Sequence, residues 1–151
     1  MLDEVFEEAL VPEGVHKEVV VSGLEQGYSD ALAVDEAEFL SVRDVENDDV
    51  EYIRGSANLG LGESEAIVLA RTEGCRCLTD DHATRKTAES FGVKVGGTVY
   101  VLLAALNHGV IEFEGYEEAL GDLANTDFRM KASLYRKALE EGRSTVEDCE
   151  S

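Results

Sequence analysis

The sequence predicts an α/β domain in which short strands alternate with helices around a parallel sheet. Two observations carry that reading. Short strand-like stretches, Ala9-Leu10-Val11, Leu40-Ser41-Val42-Arg43, Cys75 to Leu78 and Val93-Lys94-Val95, are separated by apolar residues at helical spacing. Pro12, Gly74 and Gly92 stand where elements should stop or start. No repeat or linker interrupts the 151 residues, so one domain over 1–151 is expected, with 144–151 as a flexible tail.

Taken in order, Leu2, Val5 and Phe6 suggest a short helix, and Ala9 to Val11 a buried strand stopped by Pro12, which then opens another helix. In that helix Val15 and Val19 mark the inward face, and Glu18, three residues after Val15, lies on its flank. A helix is plausible from Tyr28 to Phe39, followed by extended Leu40 to Arg43. Asn47-Asp48-Asp49 reads as a solvated acidic connection. A helix from Glu63 to Gly74 buries Ala66, Ile67, Leu69 and Ala70, and a strand follows through Leu78. Ala83, Thr87, Ala88 and Phe91 form an amphipathic helix ended by Gly92, and Val93 to Val95 a strand. Thr98 then caps an apolar helix from Val99 to Leu106. Helices near Tyr116 to Leu123 and Lys131 to Glu141 complete the domain.

Composition excludes several classes. The longest apolar run, Val99 to Leu106, is far short of the roughly 20 residues that span a bilayer, and the N-terminus is acidic where a signal peptide is basic, so a cytoplasmic protein is expected. Acidic residues number 33 against 13 basic, for a net charge of -20 spread along the whole chain. Such charge repels nucleic acid at low salt, whereas in molar salt the Debye length falls to about 3 Å. The acidity reads as adaptation to a salty cytoplasm. Three cysteines make no disulfide framework. Cys75 and Cys77, two residues apart on the expected strand, should both face a buried side. His16, His82 and His108 share no metal-site spacing, and no P-loop, dinucleotide fingerprint or nucleophile elbow is present.

The chemistry gathers in Gly60-Leu61-Gly62-Glu63-Ser64-Glu65-Ala66-Ile67 and Leu78-Thr79-Asp80-Asp81. A helix of about eleven residues and a five-residue strand each cover roughly 16 Å. Run antiparallel, they return the helix start beside the strand end. Glu63 and Glu65 would then meet Asp80 and Asp81 at the carboxyl edge, where open α/β sheets hold ligands. Crowded carboxylates repel unless protonated or shared by a cation, and a hard divalent ion is the simplest resolution. The purely structural alternative is that Glu65 caps backbone donors and that Asp80 or Asp81 caps the helix starting near His82.

These motifs, with the later Gly97-Thr98 and the segment from Asp127-Phe128-Arg129 to Leu134-Tyr135, resemble the PIN-domain superfamily of metal-dependent ribonucleases, which includes the VapC-type toxins. The likeness is strongest to small archaeal and bacterial PIN-like proteins with a GExEAI-type helix start. It implies that Glu18 is the second acid of the family's site, Glu65 the third and Asp81 the fourth. Asp80 stands beside Asp81 and Glu63 is a supporting candidate. The family's first acid is an aspartate on a strand that lies between those matching Ala9 to Val11 and Cys75 to Leu78, and this chain shows no match to that strand. The implied fold is a PIN-like three-layer α/β domain, its short parallel sheet flanked by helices and lacking the first strand. The implied activity is hydrolysis of RNA, with one or two Mg²⁺ or Mn²⁺ ions on Glu18, Glu65, Asp80 and Asp81 activating a water. Arg85 and Lys86 would neutralise phosphates. A small antitoxin partner and homodimerisation are further implications. The alternative is a PIN-like protein that has lost catalysis and binds RNA or protein.

Overall fold

Pro12 has no N–H to offer a strand ladder, and the first strand ends on it. That strand, β1 (Ala9–Pro12), follows a short helix α1 (Leu2–Val5). The computed structural model describes residues 2–25, 27, 40–125 and 132–150, and there the chain is α/β: mostly helix, with short parallel strand pairs. It divides into two compact units, Glu7–Gly96 and Met1–Phe6 with Gly97–Ser151. The predicted helix over 28–39 lies outside the described residues.

In the strand-bearing unit, Pro12 sits at the N-cap of α2 (Glu13–His16) with φ -60° and ψ 145°. The helix widens through a π-helical turn at Lys17–Val21 and runs into α3 (Ser22–Glu25). This turn corrects the expected inward face. A π turn adds a residue to the repeat, so the position inward of Val15 moves from Val19 to Val20. Val19 is 44% exposed and Val20 only 3%.

The second strand, β2 (Leu40–Arg43), pairs in parallel with β1, Ala9 opposite Leu40 and Pro12 opposite Arg43. Asn47-Asp48-Asp49 is solvated as expected but is not a loop: it opens α4 (Asn47–Ala57). Asp48 and Asp49 favour the positive helix start, and Val50 and Ile53, three residues apart, anchor one face in the core.

Helix α5 (Leu61–Glu73) starts two residues before Glu63, with Gly60 at its N-cap, and stops at Gly74, whose φ of 68° suits glycine. Ile67, Val68 and Ala70 pack with Val50, Ile53, Cys77, Ala88 and Val93 in the core of this unit. The strand after it is shorter than five residues. β3 (Cys77–Leu78) pairs in parallel with β4 (Val95–Gly96), and α6 (His82–Ser90) joins them. Cys75 belongs to the helix stop, its N–H donating to the Ala70 carbonyl at 3.0 Å; of this pair Cys75 is exposed and Cys77 buried. Burial, and secondly the Cys75 thiol, push the Cys77 thiol's pKa up.

Among the described residues, two separate parallel pairs, β1–β2 and β3–β4, stand in place of the expected single sheet.

In the helical unit, α7 (Thr98–Asn107), α8 (Phe113–Ala124) and α9 (Ala132–Glu150) enclose Leu102, Leu106, Tyr116, Leu120 and Ala138. Gly97, not Thr98, is the N-cap of α7. Tyr116 is fully buried, and its hydroxyl donates to the Ala138 carbonyl at 2.7 Å. Burial, then Glu141, push its pKa up to about 12. A methyl group at Gly142 would strike this ring, which explains the glycine. α9 continues through 144–150, the stretch expected to fray. No helix of the described residues is long and apolar enough to cross a membrane.

Candidate functional site

All four candidate acids lie in the strand-bearing unit, on elements whose starts and stops are set by glycine, proline and a capping aspartate. Glu18 and Glu65 meet the crossing of the segment after β1 with α5. The Glu65 carboxylate accepts the Gly14 N–H at Oε2, 3.1 Å, across 51 residues of sequence. A Cβ at Gly14 would lie 2.6 and 2.7 Å from the two carboxylate oxygens, so a side chain there would push the Glu65 carboxylate aside. Across the same crossing, a Cβ at Gly62 would stand 3.2 Å from Val15 and 3.6 Å from Glu18 Oε2. Glu63 turns back instead and packs its carboxylate against Gly60 at the start of its own helix.

Asp80 and Asp81 follow β3 and are exposed. Asp81 is the N-cap of α6: its Oδ2 accepts the Thr84 N–H at 2.9 Å and the Thr84 hydroxyl at 2.7 Å. The hydroxyl first and the N–H second hold the Asp81 carboxyl below the usual aspartate range. Its own N–H donates to Thr79 Oγ1 at 3.2 Å. Capping by Asp81 is thus the arrangement that the sequence offered as the purely structural alternative. Arg85 and Lys86 stand on the first turn and a half of α6.

Gly14 and Thr84 were missed by sequence reasoning. Thr84 has a signal, because a hydroxyl three residues after an N-cap aspartate can join its hydrogen bonds. Gly14 has none without knowing which helices cross. A further acid pair was also missed. The parallel register puts Pro12 opposite Arg43, so Glu13 and Asp44 emerge side by side at the carboxyl ends of β1 and β2. A hydrogen bond between them holds Glu13 down and pushes Asp44 up, and Lys17, 3.3 Å from Glu13, helps keep Glu13 ionised.

Glu18 and Glu65 each stand where the segment after β1 passes α5, and Asp80 and Asp81 follow β3. Among the described residues no group of three His, Cys, Asp or Glu side chains is placed to hold a metal ion. As placed, they do not fit one ligand shell.

An α/β unit with parallel strand pairs, carboxylates at a helix start and two aspartates after a strand defines a class of acid-bearing α/β domain. The particular family follows from comparison: a family model described as a PIN domain matches residues 1–144, and the chain belongs to that family. No curated protein and no solved structure gives a significant match. The family indicates nuclease-type function, and PIN domains generally use divalent metal ions.

Proposed function

We propose that the protein is an endoribonuclease of PIN type that hydrolyses RNA phosphodiester bonds with Mg²⁺ or Mn²⁺. The observation that carries this reading is the PIN-domain match over 1–144. Support comes from the local chemistry of the residues equivalent in motif to the family's acids. Glu65 is pre-oriented by the Gly14 N–H, and Asp81 is kept ionised by Thr84. A carboxylate already held in place loses less freedom on binding a cation than a loose one. Arg85 and Lys86 supply positive charge for the RNA backbone in a chain of net charge -20.

Calorimetry with Mn²⁺ in molar KCl tests the proposal. The expected result is saturable binding by the parent that is lost in Asp81→Asn. Asparagine is itself a good N-cap, so this change removes charge and keeps the helix start. A folded parent that binds no Mn²⁺ would contradict the reading.

A second reading, a PIN domain without catalysis that binds RNA or protein, is favoured by one observation: among the described residues no three acids gather to hold a metal ion, and Glu65 and Asp81 accept hydrogen bonds from the protein itself. RNA binding without metal-dependent cleavage would establish it. A toxin role with a small antitoxin and homodimerisation are extensions of the first reading. Adaptation to high salt is a further proposal, supported by the net charge of -20; it predicts a melting temperature that rises steadily with KCl.

A further inference from the structure

Helices α4 and α5 leave between them a groove of about 330 Å³, lined by Asp49, Tyr52, Ile53, Val68, Arg71 and Thr72. That volume is at the lower end of the range for small-molecule sites. Its floor is apolar, since Ile53 and Val68 are 2% and 3% exposed. Its wall is unusual: Tyr52 is 67% exposed, more than any other large hydrophobic among the described residues. The ring is nevertheless held in place. It meets Phe91 edge-on, with centroids 6.1 Å apart and planes at 80°. The Arg71 guanidinium carbon lies 5.8 Å from the centroid of the same Phe91 ring. One half-buried aromatic therefore positions an open aromatic face and a cation together.

We propose that this groove binds a base of single-stranded RNA, stacked on Tyr52, with the Arg71 guanidinium beside its phosphate; the proposal rests on the RNA-directed reading above. An exposed tyrosine face offers a stacking platform to any base, and a neighbouring arginine adds charge for the backbone. Asp49 on the rim accepts an exocyclic amino group, which favours adenine, guanine or cytosine over uracil. The groove lies along the helix that carries Glu65. Thr72 is seven residues further on, two turns and roughly 10 Å along the axis, and returns to nearly the same face. A strand cleaved at the acids can thus rest a neighbouring nucleotide here. Asp48, Asp49 and Glu51 share α4 and oppose phosphate at low salt, so stacking contributes most at high salt.

The test uses a ten-nucleotide single-stranded RNA carrying 2-aminopurine, whose fluorescence falls when the base stacks, added to the full chain in molar KCl with a chelator present. The parent is expected to quench it. Tyr52→Ala should weaken binding about 10- to 100-fold, Tyr52→Phe should keep it, and Arg71→Gln should weaken it less. Circular dichroism checks that each variant folds. Metal-dependent cleavage is measured separately on the same proteins and on Asp81→Asn. Loss of cleavage in Asp81→Asn with quenching retained, or a parent that quenches without cleaving, supports the groove independently of the nuclease reading. A parent that gives no quenching, or Tyr52→Ala quenching as the parent does, overturns the proposal.

Discussion

Glu65 and Asp81 are held in different ways. Glu65 is fixed by a long-range bond to Gly14, 51 residues away, which exists only once α5 has crossed the start of α2. Asp81 is fixed by Thr84, three residues on, and needs nothing beyond its own helix. A carboxylate serving only as a helix cap requires the second kind of contact. Glu65 instead reports tertiary assembly, and it sits against a glycine whose side-chain position it occupies. The comparison teaches that carboxylates can be positioned by topology or by local chain chemistry, with different consequences when each is broken.

Breaking the tertiary contact should have the largest effect. Gly14→Ala puts a methyl group into the Glu65 carboxylate, and Glu65→Ala leaves the Gly14 N–H without its acceptor. Glu65→Ala is expected to cost about 1–3 kcal/mol, and Gly14→Ala less, because the carboxylate it meets is the far end of a flexible side chain that can swing aside. Because both remove the same contact, urea denaturation of the double variant should show a cost well below the sum. Full additivity would mean that the contact contributes nothing. Glu65→Gln sharpens the point: an amide oxygen can still accept from Gly14, so its midpoint should lie much closer to the parent than that of Glu65→Ala.

The local contact should give a smaller change with a characteristic acid dependence. The folded pKa of Asp81 lies below its unfolded value, so its contribution is full above the unfolded value of roughly 3.9 and is lost as pH falls through the folded one. Asp81→Ala is therefore expected to melt below the parent at pH 7, with the gap closing as pH falls into the region of the folded pKa. A gap independent of pH would show that charge plays no part. Asp81→Asn, which keeps the cap geometry, should melt between the two.

The smallest effect concerns reactivity. Cys75 is exposed and Cys77 is buried with its pKa pushed up, so a thiol reagent at neutral pH should label Cys75 before Cys77. Mass spectrometry after proteolysis reads this directly, and prior labelling of Cys77 would place both cysteines on an open strand instead.

How much was legible in the sequence follows the same division. Contacts within a few residues were readable: Pro12 at a helix start, Gly74 with φ 68° at a helix stop, Asp81 beside its helix. Features that depend on how one helix repeats or where a strand ends were read imperfectly. The π turn exchanged Val19 for Val20, α4 hid behind its own acidic first turn, and Cys75 fell to the helix stop because β3 begins at Cys77. Across elements, the parallel register that brings Glu13 to Asp44 and the crossing that brings Glu65 to Gly14 left no periodic trace at all. The candidate residues were legible as motifs. That no three of them gather to hold a metal ion, among the described residues, was not.

The most direct measurement is cleavage of single-stranded RNA in molar KCl with Mn²⁺, comparing highly purified parent, Glu65→Gln and Asp81→Asn, each verified as folded. Metal-dependent cleavage by the parent that falls about 100-fold or more in both variants is the predicted result, since each removes one carboxylate charge with its local geometry kept. Cleavage that persists undiminished in both would contradict the assignment of these acids to a nuclease site.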